Sequence, residues 1–75
     1  MVMERFDRIT FDADIMGGRA CIRGMRITVA TIVGQIAGGA SRQEILADYP
    51  ALEPEDITQA LTYAAYLARE QVVSA

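Results

Sequence analysis

The chain has 75 residues, 52% of them apolar, and a formal net charge of −3, which is enough for one small domain with a marginal core and too apolar for a disordered linker. A core of that size gains from a partner chain or a second copy. The sequence contains no histidine, no lysine and a single cysteine, Cys21; this removes the commonest general base and metal ligand, Schiff-base chemistry, and any disulfide or cysteine-based zinc site within one chain.

The stretch "RITFD", residues 8–12, sets Ile9 and Phe11 on one parity with polar residues on the other, the pattern of a short half-buried strand. "DADIMGG" follows as a turn, in which Gly17 and Gly18 permit backbone angles closed to other residues. A second strand is predicted from Arg19 to Arg23, with Ala20 and Ile22 on one face and Arg19, Cys21 and Arg23 on the other. Gly24 and Met25 then form a two-residue type II′ loop, and the resulting hairpin sets Arg23 opposite Arg26. Like charges so placed are unfavourable by up to about 1 kcal/mol. Three offsets are open: an anionic partner, the acidic end of this chain or of a second copy, or simple splaying into water. Cys21 reads as a small buried hydrophobe.

Thr28 caps a helix through Val29, Ile32, Val33 and Ile36, which recur at the spacing of one apolar face, and Gly38 and Gly39 end it. Gly34 lies inside at a cost of about 1 kcal/mol relative to alanine, which points to a close approach by another backbone or to simple tolerance. "SRQE" is a capping box, with Ser41 capping a second helix and Glu44 reaching back to the Ser41 amide. That helix is short, because Tyr49 precedes Pro50 and is steered out of helical geometry. Pro54 suits the first position of a third helix, with Glu55 and Asp56 near its positive end. The three helices are expected to run for about 11, 8 and 16 residues.

The third helix carries Ile57, Leu61, Ala64 and Ala68 in one stripe, widened by Tyr63, Tyr66 and Leu67. Ile57, Leu61, Tyr63, Ala64, Tyr66 and Leu67 are therefore expected in the core or a dimer interface. No arginine interleaves with the tyrosines as in a base-stacking surface. Across the whole chain, residues 15–43 contain Arg19, Arg23, Arg26 and Arg42 and no acid, whereas residues 44–75 hold six acids against Arg69 alone. No apolar run approaches the roughly 20 residues of a membrane span. "MVMERFDRIT" has no secretory pattern, so the cytoplasm is the expected compartment.

The layout is mainly α: a small N-terminal β-hairpin, then three helices, with a short turn between the last two that suits a helix-turn-helix. The "MGG" turn, the "IRGMRI" hairpin, the "GG.S..EIL.DYP.L" segment and the "EDI..AL.YAA" helix resemble the bacterial and archaeal family called domain of unknown function 433, over residues 12–68. The resemblance implies a single homeodomain-like helix-turn-helix domain over residues 1–75 acting as an antitoxin, with a PIN-like ribonuclease toxin as operon partner. Ala20 and Thr28 stand where such sequences often have proline, and Glu53 where a Ser or Thr cap is common.

An antitoxin of this kind neutralises the toxin and, as a homodimer or in the complex, binds operator DNA. Arg19, Arg23 and Arg26 are the anion-seeking candidates, since PIN-type nucleases hold magnesium with acidic residues. For DNA, Arg42 and the basic hairpin would contact phosphates and Thr58, Gln59 and Thr62 would face the groove, although Glu53, Glu55 and Asp56 repel phosphate there. The alternative is a helix-turn-helix-shaped interaction or dimerisation module without DNA binding. No catalytic residue, metal site or cofactor is expected.

Overall fold

A computed structural model describes residues 2–3 and 6–70. The remaining residues of the expected 1–75 domain, including parts of "MVMERFDRIT", lie outside the described residues. Three short strands, β1 (Val2–Met3), β2 (Phe6–Thr10) and β3 (Cys21–Ile22), form an antiparallel sheet in the order β1-β2-β3. Three helices follow: α1 (Val29–Ala37), α2 (Arg42–Asp48) and α3 (Pro54–Glu70). The domain is mainly helical, as the sequence pattern predicts.

The helix boundaries follow from local chemistry. Thr28 Oγ1 accepts the Thr31 amide at 3.0 Å and starts α1. Gly39, with φ of 100°, supplies the left-handed residue beyond its end. Both halves of the Ser41 capping box are formed: Glu44 N–H donates to Ser41 Oγ at 3.1 Å, and Ser41 N–H to Glu44 Oε1 at 2.8 Å. These bonds hold the Glu44 carboxyl below its usual range. Pro54 opens α3 as expected.

The hairpin departs from expectation in its loop. Ile22 N–H donates to Ile27 O and Val29 N–H to Ala20 O, so residues 20–22 pair with 27–29 and the loop is Arg23–Arg26. A hydrogen bond from Met25 N–H to Ile22 O closes a turn whose central residues, Arg23 and Gly24, both have positive φ (46° and 72°). That is the type I′ signature and not II′. Arg23 and Arg26 are therefore loop residues and not an opposed strand pair. Gly24 alone would favour the expected turn, but Arg23 is drawn into the left-handed region by contacts made far away in sequence, described below.

Strand parity also differs. β3 is only Cys21–Ile22, and both residues are buried. In β2 the buried residues are Phe6 and Ile9, while Phe11 lies beyond the strand and is half-buried. The irregular β1–β2 register breaks simple alternation.

Ile9 and Ile22 are neighbours in the sheet and pack against Val29, Ile32, Ile45 and Ile57 from the three helices. On α3 the buried line is Ile57, Ala60 and Tyr63, whereas Leu61, Ala64 and Tyr66 are half-buried and Leu67 and Ala68 are exposed. The expected stripe is thus rotated toward Ala60, because β2 as well as α1 lies on α3. Phe6 meets Tyr63 edge-on, with ring centroids 5.2 Å apart, and lies 5.5 Å from Tyr66, an arrangement favoured by the ring quadrupoles. Both tyrosines therefore pack within the chain.

Gly34 faces open space: nothing lies within 4 Å of where its Cβ would stand. No close approach within the described residues requires glycine there. Gly34→Ala is expected to stabilise the protein by about 1 kcal/mol, read as a rise of several degrees in Tm.

Candidate functional site

Two features stand out among the described residues: a polar hub that uses most of the engaged arginines, and an apolar groove that leaves one arginine free. The hub is built on Asp56, the third residue of α3, whose side chain is fully buried. Its carboxylate accepts from Arg23 Nε at 3.1 Å, Arg23 Nη2 at 2.8 Å, Arg8 Nη1 at 2.8 Å and the Glu53 amide at 2.8 Å. Arg8 also donates to Glu53 Oε1 at 2.7 Å, and Arg23 Nη2 to the Ala51 carbonyl at 2.8 Å. One carboxylate thus ties β2, the hairpin loop and the start of α3 together.

Burial alone would raise the Asp56 pKa, but the Arg23 hydrogen bonds, the Glu53 amide and Arg8 outweigh it and hold the carboxyl below its usual range. Donating these bonds to Glu53 and Asp56 raises Arg8, and donating to Asp56 raises Arg23. The acidic end of this chain is therefore what offsets the charge of Arg23.

The other polar candidates are also engaged. Arg42 Nη1 donates to Thr58 Oγ1 at 2.9 Å, and Thr62 Oγ1 to the Thr58 carbonyl at 2.8 Å. Gln59 bridges to β2, accepting the Arg8 amide at 2.6 Å and donating to Asp7 Oδ1 at 3.0 Å. Arg19 and Arg26 are exposed, and their side chains carry no hydrogen bond or ion pair among the described residues. Cys21 is buried, and burial raises its thiol pKa against the opposing pull of Arg26, as befits a packing residue.

The groove, of about 310 Å³, lies between the first half of α1 and the last half of α3. Val29, Ala30 and Val33 form one wall and Tyr63, Ala64 and Leu67 the other, with Arg19, Ala20 and Thr28 also lining it. Leu67 is 40% exposed, a large apolar side chain left uncovered. The Thr28 hydroxyl is already engaged with Thr31, and among the described residues Arg19 is the one charged side chain lining this apolar surface. The expected packing set is thereby divided: Ile57 belongs to the core, Tyr63 to both core and groove, and Ala64 and Leu67 to the groove.

Residues 9–64 match the family described as protein of unknown function, DUF433. The chain belongs to the DUF433 family. It is 36% identical over 56 residues to the uncharacterized protein y4eO of Sinorhizobium fredii, covering 75% of this chain and 25% of that protein. The crystal structure of a DUF433 member protein from Anabaena variabilis superposes with a TM-score of 0.77 at 36% identity, over 84% of this chain and 62% of that one. The chain thus spans about a quarter of the first relative and less than two thirds of the second. The matched segment takes in every Asp56 partner except Arg8, and the groove apart from Leu67.

Sequence reasoning did not identify Asp56 as a hub. Its one local signal was its place three residues after Glu53, where a carboxylate can reach back to the residue before Pro54.

Proposed function

We propose that this DUF433 chain is a cytoplasmic protein-binding subunit, the antitoxin of a two-component module whose toxin is a PIN-like ribonuclease. The observation that carries the binding role is the α1/α3 groove, an uncovered apolar surface bordered by Arg19, whose side chain is unpaired among the described residues. Surfaces of that kind gain from a protein partner. The antitoxin role itself rests on the resemblance of the "MGG", "IRGMRI" and "EDI..AL.YAA" elements to the DUF433 family, read as predicted antitoxins. Of the three arginines that suit an acidic metal site, Arg19 and Arg26 are available to a partner, and Arg23 is committed to Asp56. The chain has no catalytic role of its own in this reading.

Operator binding has weaker support. Glu53 and Glu55 are exposed at the start of α3, and Thr58, Gln59 and Thr62 are hydrogen-bonded within the chain. These observations favour a second reading, an interaction or dimerisation module of helix-turn-helix shape without DNA binding. DNA binding would need the doubled positive surface of a homodimer, supplied by Arg19, Arg26 and Arg42.

The test is purification of a tagged copy expressed from its native operon, with and without nuclease treatment. A stoichiometric ribonuclease with an acidic metal site that survives the treatment is expected. Elution only as its own dimer would overturn toxin neutralisation and leave the self-associating module.

A further inference from the structure

We infer that the α1/α3 groove is the docking site for a segment of a heterologous protein that carries one large apolar side chain next to a carboxylate. The inference rests on the protein-binding reading above and specifies the chemistry of the partner. The apolar side chain seats between Val33 on α1 and Ala64 and Leu67 on α3, and the carboxylate meets Arg19.

Three observations select this occupant. First, the volume of about 310 Å³ is at the small end for a binding cavity, suited to one anchoring side chain and not to an extended ligand. Second, among the described residues the lining contains no carboxylate, and its only charged residue is a cation whose side chain has no partner. A partner with Asp or Glu at that edge gains a charge-assisted hydrogen bond, whereas one with Lys or Arg meets repulsion. Third, the same charge pattern disfavours a second copy. A twofold interface sets the same patch against itself, so in a homodimer formed through the groove the described lining would offer the partner's cation no acid. Nucleic acid is disfavoured as well, since duplex affinity needs several phosphate contacts and this surface offers one cation on an apolar floor.

The test is selection of a random peptide library displayed on phage against the purified full chain, Arg19→Glu and Ala30→Phe. Ala30 is exposed and lines the groove, so phenylalanine there fills it from the solvent side, and thermal melts establish that both variants fold. Peptides enriched on the native chain are expected to pair a large apolar residue with Asp or Glu. Their affinity should fall about tenfold on Arg19→Glu and be lost on Ala30→Phe, and selection on Arg19→Glu should favour Lys or Arg at the acidic position. No enrichment, enrichment without acidic bias, or binding indifferent to Ala30→Phe would overturn the inference. So would a native dimer that Ala30→Phe disperses in analytical ultracentrifugation. The two readings fail separately: a ribonuclease that still co-elutes with both variants overturns the groove assignment and keeps the antitoxin, whereas groove-dependent peptides with no co-eluting nuclease keep the groove and remove the antitoxin.

Discussion

Asp56→Ala is expected to lower stability by about 3 kcal/mol, a fall in Tm of roughly 15 °C for a domain of this size. The substitution removes the acceptor for Arg8, Arg23 and the Glu53 amide at once. It leaves the Arg23 guanidinium without a carboxylate, and Arg8 with Glu53 alone. Both are partly exposed, 27% and 36% by side chain, so water recovers part of their hydration and the effect stays at the low end for a broken buried pair. The hairpin should loosen with it, because Arg23 holds a left-handed backbone angle that the bonds to Asp56 sustain.

The same carboxylate sets a pH dependence. Its folded-state pKa is depressed below the unfolded value of about 3.9. Its contribution is therefore fully present above that unfolded value, and it is lost as pH falls from there through the folded pKa. The arginines stay charged throughout this window. Thermal melts on a series of acid buffers should show native Tm falling below about pH 4, with a shallower slope in Asp56→Ala. Parallel slopes would show that Asp56 is not the responsible group.

Ile57→Ala should cost about 3 to 4 kcal/mol, a large share of the roughly 4 to 11 kcal/mol available to a domain of this length. Ile57 is fully buried one residue beyond the hub, in a core to which all three helices and β2 and β3 contribute. The cavity left by alanine is enclosed by sheet residues and by helices held at capped ends, which restricts collapse. Ile57→Val should cost only about 1 kcal/mol. Urea denaturation checks both: an alanine variant within 1 kcal/mol of the valine variant would show that the site relaxes to fill the space.

The residues that were legible in the sequence are those whose roles are local. Thr28, Ser41 with Glu44, and Pro54 mark helix starts through bonds or steric preferences within a few residues, and each does so in the structure. The apolar spacing of Val29 and Ile32 likewise needs only the helical repeat. The misread features are those decided at a distance. Gly24 and Met25 look like a two-residue loop until Arg23, 33 residues from Asp56, is drawn toward it. Asp56 looks like a helix-dipole residue until the arginines of β2 and the hairpin converge on it. The α3 stripe centred on Leu61 and Ala64 turns toward Ala60 once β2 packs on the same helix.

The charge pattern was informative, but its meaning had to be divided. Four arginines in the middle of the chain suggested one basic surface. Folding instead assigns Arg23 to the hub and Arg42 to Thr58, and leaves Arg19 beside apolar walls. Net charge could not separate these cases, because the separation depends on which acidic residue each guanidinium can reach. The groove was only half legible for a similar reason: Tyr63, Ala64 and Leu67 were recognisable as a packing surface of α3, but Val29, Ala30 and Val33 join them only through the α1–α3 crossing.

The most direct measurement of the antitoxin account is a titration of RNA cleavage. The account requires a ribonuclease encoded beside this chain; that enzyme would be purified separately and assayed on RNA with magnesium while the native chain is added. The account predicts that cleavage stops when the chain reaches the amount of the nuclease. Cleavage that continues unchanged in excess chain would contradict it.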